Sequence, residues 1–235
     1  MFQKTIGILG GMGPVASADT YVELVKMCQQ KYGCVQDSDF PAVVLYSLPL
    51  SKFDQRGFSD DSAERHAVVS QLLPALKKLE QFGAEVIIID CNTVHYFFDE
   101  LQSGIKTPIV NLIAVTVEQV KASHYTKVAV LCSQSSKDVG LYLKPLSKEG
   151  IAVLDTPQAD QDMINDAILA VMGGSVTTTH IGNINAMIGR YTQGGAQCVI
   201  LGCTEISNIA KQLTHETVLI DSEALAVAQA IDFAR

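Results

Sequence analysis

Two stretches decide how this chain is read: Val86-Ile87-Ile88-Ile89-Asp90-Cys91-Asn92-Thr93 and Cys198-Val199-Ile200-Leu201-Gly202-Cys203-Thr204-Glu205. Each is a continuous apolar run of strand length that ends in a cysteine followed by amide- or hydroxyl-bearing residues. An apolar run without alternation marks a strand covered on both faces, as in a parallel sheet. Ligands of α/β sheets bind at the carboxyl ends of the strands. The two thiols are therefore expected to serve one ligand.

The rest of the chain alternates in the same manner. Ile6 to Leu9 read as a first buried strand, and Gly10-Gly11-Met12-Gly13-Pro14 turns the chain tightly into a helix that Pro14 can begin. Val15, Ala18, Tyr21, Val22, Val25 and Cys28 recur at helical spacing along it, so this stripe is the expected core face. A strand at Ala42 to Tyr46 is followed by a long loop from Ser47 to Asp61, whose one arginine is Arg56. A helix over Ser62 to Phe82, with a kink or break expected at Pro74, leads to the Cys91 strand. At Lys127 the plan restarts with a strand at Val128 to Leu131, a polar turn at Ser133 to Ser136 and a helix at Val139 to Glu149. Further strand and helix patterns then lead to the Cys203 strand. Strands alternating with helices imply parallel sheets with right-handed crossovers. The repeat points to two similar lobes, although any α/β chain shows some such recurrence.

Composition narrows the partners. The 235 residues are 48% hydrophobic, enough for one large domain or two small ones, and the formal net charge is -8. An acidic chain is poorly suited to a phosphate backbone, which is bound by clustered Lys and Arg. No nucleic-acid partner is expected, and a small molecule is. No apolar run reaches the roughly 18 residues that cross a bilayer, and the opening Met1-Phe2-Gln3-Lys4-Thr5 lacks the pattern of a signal peptide. No membrane association and a cytoplasmic location follow as expectations. Six cysteines in such a chain are then expected as thiols, with Cys28, Cys34, Cys132 and Cys198 as small buried hydrophobes.

Three patterns carry chemistry. Gly11-Met12-Gly13-Pro14-Val15-Ala16 matches the G-x-G-x-x-A dinucleotide turn, but no acidic residue ends the second strand at Tyr46-Ser47 to hold a ribose hydroxyl. A tight strand-to-helix turn explains the same glycines. Cys91 and His95 have tolerable spacing for zinc, yet no paired C-x-x-C or second histidine cluster completes four ligands. Cys91 and Cys203 each sit where a strand hands over to a helix, where peptide dipoles favour a thiolate able to act as a base on a carbon acid. Two buried structural thiols are the alternative.

Gly10-Gly11-Met12-Gly13-Pro14, Cys91-Asn92-Thr93-Val94-His95 and Gly202-Cys203-Thr204-Glu205 resemble, in order and separation, the three signatures of the aspartate/glutamate racemase family, specifically its aspartate racemase branch. The similarity covers almost the whole chain, including Gly140-Leu141-Tyr142 and a late Asp221. Glutamate racemases are less similar: they open with an Asp-Ser-Gly turn and carry a histidine where this chain has Glu205. The resemblance implies an α/β fold of two pseudo-symmetric Rossmann-like lobes with parallel sheets, residues 1–113 with 220–235 and residues 114–219, and an active site in the cleft between them. It further implies a homodimer that racemises an amino acid without pyridoxal phosphate, other cofactor or metal. Cys91 and Cys203 are then the catalytic pair, one thiolate removing the α-proton while the other thiol reprotonates the opposite face.

By the same resemblance, Met12, Asn92, Thr93 and Thr204 bind the substrate. Arg56 matches a loop arginine that pairs with a carboxylate, with a surface arginine as the lesser alternative. His95 and Glu205 lie close after the cysteines, where thiol tuning and a structural hydrogen bond both fit. Ser135-Ser136 replaces a common Gly-Thr pair, and Val171-Met172-Gly173 lacks the lysine that members acting on acidic substrates carry. Weaker selection of acidic side chains is expected. A related isomerase or decarboxylase of small dicarboxylates and a non-catalytic amino-acid-binding protein are the competing functions.

Overall fold

The computed structural model describes residues 2–51 and 62–235. Its chain divides into two compact units, described here one at a time. The first gathers the described residues up to 51, residues 62–112 and residues 223–235; the second holds residues 113–222.

In the first unit, strands β1 (Ile6–Gly10), β2 (Val43–Ser47), β3 (Val86–Ile89) and β4 (Ile109–Val110) form one parallel sheet in the order β2-β1-β3-β4. The two central strands, β1 and β3, are buried at every position, which is why their sequences are apolar without alternation. Ile6, Ile8, Leu9, Ile87, Ile88 and Ile89 meet Leu72, Leu76 and Leu79 of helix α2 (Ser62–Gln81) in a core closed to solvent. Helix α2 runs through Pro74 without breaking. A 3-10 turn (Thr93–Phe97) and helix α3 (Phe98–Ser103) follow β3.

Helix α1 (Pro14–Tyr32) does not bury the stripe expected of it. Val15, Tyr21 and Val22 are 54%, 44% and 42% exposed, whereas Ala16, Ser17, Thr20, Leu24 and Cys28 are buried. The reason is hydrogen bonding over a short reach. Ser17 Oγ accepts from Gly11 N at 2.9 Å and donates to Gly13 O at 2.9 Å, and Thr20 Oγ1 donates to Glu223 Oε1 at 2.8 Å. Small hydroxyl residues with satisfied partners can line a close helix contact that larger apolar residues would hold apart.

In the second unit, after helix α4 (Leu112–Ala122), strands β5 (Lys127–Leu131), β6 (Ala152–Val153), β7 (Cys198–Leu201) and β8 (Val218–Asp221) repeat the arrangement as a parallel sheet in the order β6-β5-β7-β8. The polar stretch after β5 is a short helix, α5 (Gln134–Asp138), not a bare turn, because Ser133 caps it by accepting from Ser136 N. The helix expected from Val139 is correspondingly shorter, α6 (Leu143–Lys148): Gly140 has a φ of 65° and interrupts helical geometry, and Pro145 falls in the first turn, where its missing N–H costs nothing. Helices α7 (Gln158–Met172) and α8 (Thr178–Gln193) pack Ile164, Ile168, Ile184, Met187 and Ile188 against Val199 and Leu201 of β7. Helix α9 (Thr204–Ile209) follows β7, and α10 (Ser222–Ala234) belongs, from Glu223 on, to the first unit. Among the described residues no helix is long and apolar enough to cross a membrane.

Candidate active site

Each unit holds some of the residues singled out from sequence, and in each they gather at the carboxyl ends of its central strands. In the first unit, the turn after β1 holds Met12, and the segment after the adjacent β3 holds Cys91, Asn92, Thr93 and His95, all of them buried. Gly11 has a φ of 95°, and a Cβ there would lie 2.3 Å from Leu48 O and 2.5 Å from Leu48 N. Close approach of Leu48, whose N donates to Gly10 O at 2.9 Å, thus accounts for glycine in this turn without a pyrophosphate.

Beyond Cys91, His95 N donates to Asn92 O at 3.0 Å, folding the backbone into the 3-10 turn. The His95 ring lies between two carbonyl oxygens, Nδ1 2.9 Å from Cys91 O and Nε2 3.3 Å from Val110 O, and as a neutral imidazole with one N–H it donates to one of them. Burial lowers its pKa from the usual 6.5, outweighing the two carbonyls that favour a proton on the ring. His95 is therefore a neutral buttress for the Cys91 backbone, and with both nitrogens turned to carbonyl oxygens it is not arranged as a metal ligand. Arg56 lies outside the described residues. A described cation that the sequence reading passed over, Arg65, pairs with Glu100 Oε2 at 3.0 Å and lies over the rings of Tyr96 and Phe97. Asp90, an acid closing an otherwise apolar strand, is fully buried next to Cys91.

In the second unit, Gly202 N donates to Leu131 O, and Gly202 passes so close beneath the Tyr142 ring that a Cβ would come within 2.7 Å of it. Cys203 follows in extended conformation at the start of α9, with Thr204 and Glu205 buried beside it. Cys203 Sγ donates to Glu205 Oε2 at 3.0 Å, and Thr204 Oγ1 donates to the same oxygen at 3.2 Å. The helices expected to lower both thiol pKa values are short here. A 3-10 turn follows Cys91, and α9 gives way to another 3-10 turn after Ile209. The neighbouring strand β5 leads into Ser133, Ser135 and Ser136, all buried. A cavity of about 300 Å³ opens at the ends of β5 and β6, lined in part by Cys132, Ser136, Lys137, Tyr142 and Thr156. Lys137 Nζ donates to Thr156 O at 2.6 Å. Lys137 and Thr156 escaped the sequence reading because an isolated polar residue carries no spacing signal of its own. Met172 ends α7 and is 39% exposed.

The remaining cysteines differ in kind. Burial pushes Cys132 and Cys198 up to about 12 and Cys28, next to Cys34, up to about 11. Such thiols pack as small hydrophobes.

Comparisons with known proteins agree with this arrangement. A family model described as Asp/Glu/Hydantoin racemase matches residues 9–230. The broad specificity amino-acid racemase RacX of Bacillus subtilis (strain 168) is 26% identical over 223 residues, which cover 93% of each chain. The crystal structure of an aspartate racemase homologue from Pyrococcus horikoshii OT3 is 25% identical with a TM-score of 0.80, covering 99% of each chain. The aspartate racemase of Picrophilus torridus is 27% identical with a TM-score of 0.83, over 98% of this chain and 94% of its own. With two four-stranded parallel sheets, a cysteine closing the equivalent strand of each, and a family match over most of its length, the chain belongs to the Asp/Glu/hydantoin racemase family.

Proposed function

We propose that this protein interconverts the L and D enantiomers of an amino acid without pyridoxal phosphate or metal, by proton transfer at Cα between Cys91 and Cys203. The observation that carries the reading is the repeated placement of a buried cysteine, followed within two residues by threonine, at the end of the third strand of each sheet. A thiolate takes the α-proton, so that the Cα–H bond breaks and an S–H bond forms. The second thiol gives its proton to the opposite face of the carbanion and becomes the thiolate. One proton enters the substrate for each one that leaves, and no oxidant or further reactant is needed. Met12, Asn92, Thr93, Thr204 and Arg56 are proposed to bind the carboxylate and amine of the substrate.

Met172, at the position where family members acting on acidic substrates carry a lysine, favours a side-chain preference that is not confined to aspartate and glutamate. The similarity to a racemase described as having broad specificity supports the same choice. The test is chiral chromatography of single enantiomers of a panel of amino acids incubated with the purified protein. Accumulation of the mirror enantiomer from several neutral and acidic substrates, undiminished by a chelator, is the expected result. Turnover of aspartate alone contradicts the specificity, and loss of activity on chelation contradicts the metal-free chemistry.

A further inference from the structure

Glu205 is 2% exposed, and its Oε2 receives hydrogen bonds from Cys203 Sγ at 3.0 Å and Thr204 Oγ1 at 3.2 Å. A carboxylate so enclosed is oriented by what it touches and acts on it in return. Among the described residues, titratable groups at this end of the sheet include Asp221, at the end of β8, whose Oδ1 accepts from Ser207 Oγ at 2.8 Å; Tyr142, over Gly202; and Cys132, after β5. Helix α7 contributes Ile164, Ala167, Ile168 and Val171 to the apolar cluster that includes Cys203. Glu205 is therefore the carboxylate in direct hydrogen-bond contact with the thiol.

Two negative groups 3.0 Å apart in a buried site are strongly disfavoured, so sulfur and carboxylate hold a proton between them. With ordinary affinities the sulfur keeps it, since a thiol is the much weaker acid. We propose that Glu205 is a positioning residue that holds Cys203 in its protonated form in the resting protein, making Cys203 the proton donor of the first half-reaction and leaving Cys91 as the base. The proposal rests on the racemase reading above. Rotation about the Cα–Cβ bond of Cys203 turns its S–H from Oε2 toward the substrate. Donation leaves a thiolate beside the Glu205 carboxylate, and that unfavourable pair then draws a proton back, either from the other enantiomer or from solvent.

The test uses the full chain without substrate. The rate of alkylation of Cys203 by iodoacetamide is followed against pH by peptide mass spectrometry in wild type, Glu205→Gln and Glu205→Asp. Glutamine keeps the shape and removes the charge, so its profile is expected to move toward acid by at least about one pH unit, roughly a tenfold faster alkylation at neutral pH. Glu205→Asp, which retains the charge, is expected to lie closer to wild type. A purely structural role would leave the three profiles superimposed, and that result overturns the proposal. Should Glu205→Gln fail to fold, the wild-type profile decides alone: a Cys203 midpoint at or below the ordinary thiol value of about 8.5 overturns it. Exchange of the α-proton in deuterium oxide separates the two claims. A shifted Glu205→Gln profile with no exchange on any amino acid removes the racemase reading and leaves the hold of Glu205 on Cys203 standing. Exchange with superimposed profiles does the reverse.

Discussion

All six thiols are buried, and for three of them the loss of hydration holds the sulfur protonated. Cys132 and Cys198, pushed to about 12, and Cys28, pushed to about 11, stay protonated throughout the neutral range because the charged form has lost its hydration. Native protein treated with iodoacetamide at pH 8 is therefore expected to leave these three unmodified, and peptide mapping checks it. Alkylation of Cys132 or Cys198 at the rate seen in unfolded protein would contradict their burial. Sequence made part of this legible: a cysteine inside an apolar run packs, and one at the end of the run reaches the rim. It left out what surrounds the rim. The bond from Cys203 to Glu205 links residues two apart, yet a spacing of two does not distinguish a side chain turned back to the thiol from one facing solvent. The ring of His95 finds its second partner on Val110, which only the pairing of β3 with β4 brings near.

At the scale of elements, the central strands could be read directly because a strand buried on both faces leaves a continuous apolar sequence. Helix α1 could not. Most of its visible apolar stripe, Val15, Tyr21 and Val22 among it, is exposed, and the buried side contains Ser17 and Thr20, whose partners are invisible to periodicity. Thr20 Oγ1 bonds Glu223 of α10 across 203 residues of chain. A hydrogen bond to a buried carboxylate contributes about 1.5–3 kcal/mol. Thr20→Val is expected to lower the unfolding free energy by about that amount, measured by urea denaturation, since it removes the donor and leaves the shape. A change below about 0.5 kcal/mol would mean that α10 does not depend on this latch. The short helix α5 was missed for a related reason: Ser133 acts as its cap, and serine-rich stretches serve equally as caps and as turns.

For the whole molecule, the telling feature is that two four-stranded sheets share one order, with the cysteine strand in the third place of each. Alternation of strands and helices in the sequence predicted parallel sheets but left the repeat ambiguous, and strand order, fixed by hydrogen-bonded pairing, resolves it. Two thiols in equivalent positions fit a reaction that needs the same chemistry twice, once on each face of a carbon. The most direct measurement of that claim follows α-proton exchange by NMR in deuterium oxide, for each enantiomer of a turned-over amino acid, with wild type, Cys91→Ser and Cys203→Ser. Each serine variant is expected to lose racemisation by roughly a thousandfold or more, since a hydroxyl is a far poorer base than a thiolate. Each is also expected to retain exchange on one enantiomer only, the two variants preferring opposite enantiomers, with the slower exchange in Cys91→Ser, whose remaining thiol lies beside the Glu205 carboxylate. Racemisation at the wild-type rate in either variant, or exchange of the same enantiomer by both, would contradict the two-thiol account.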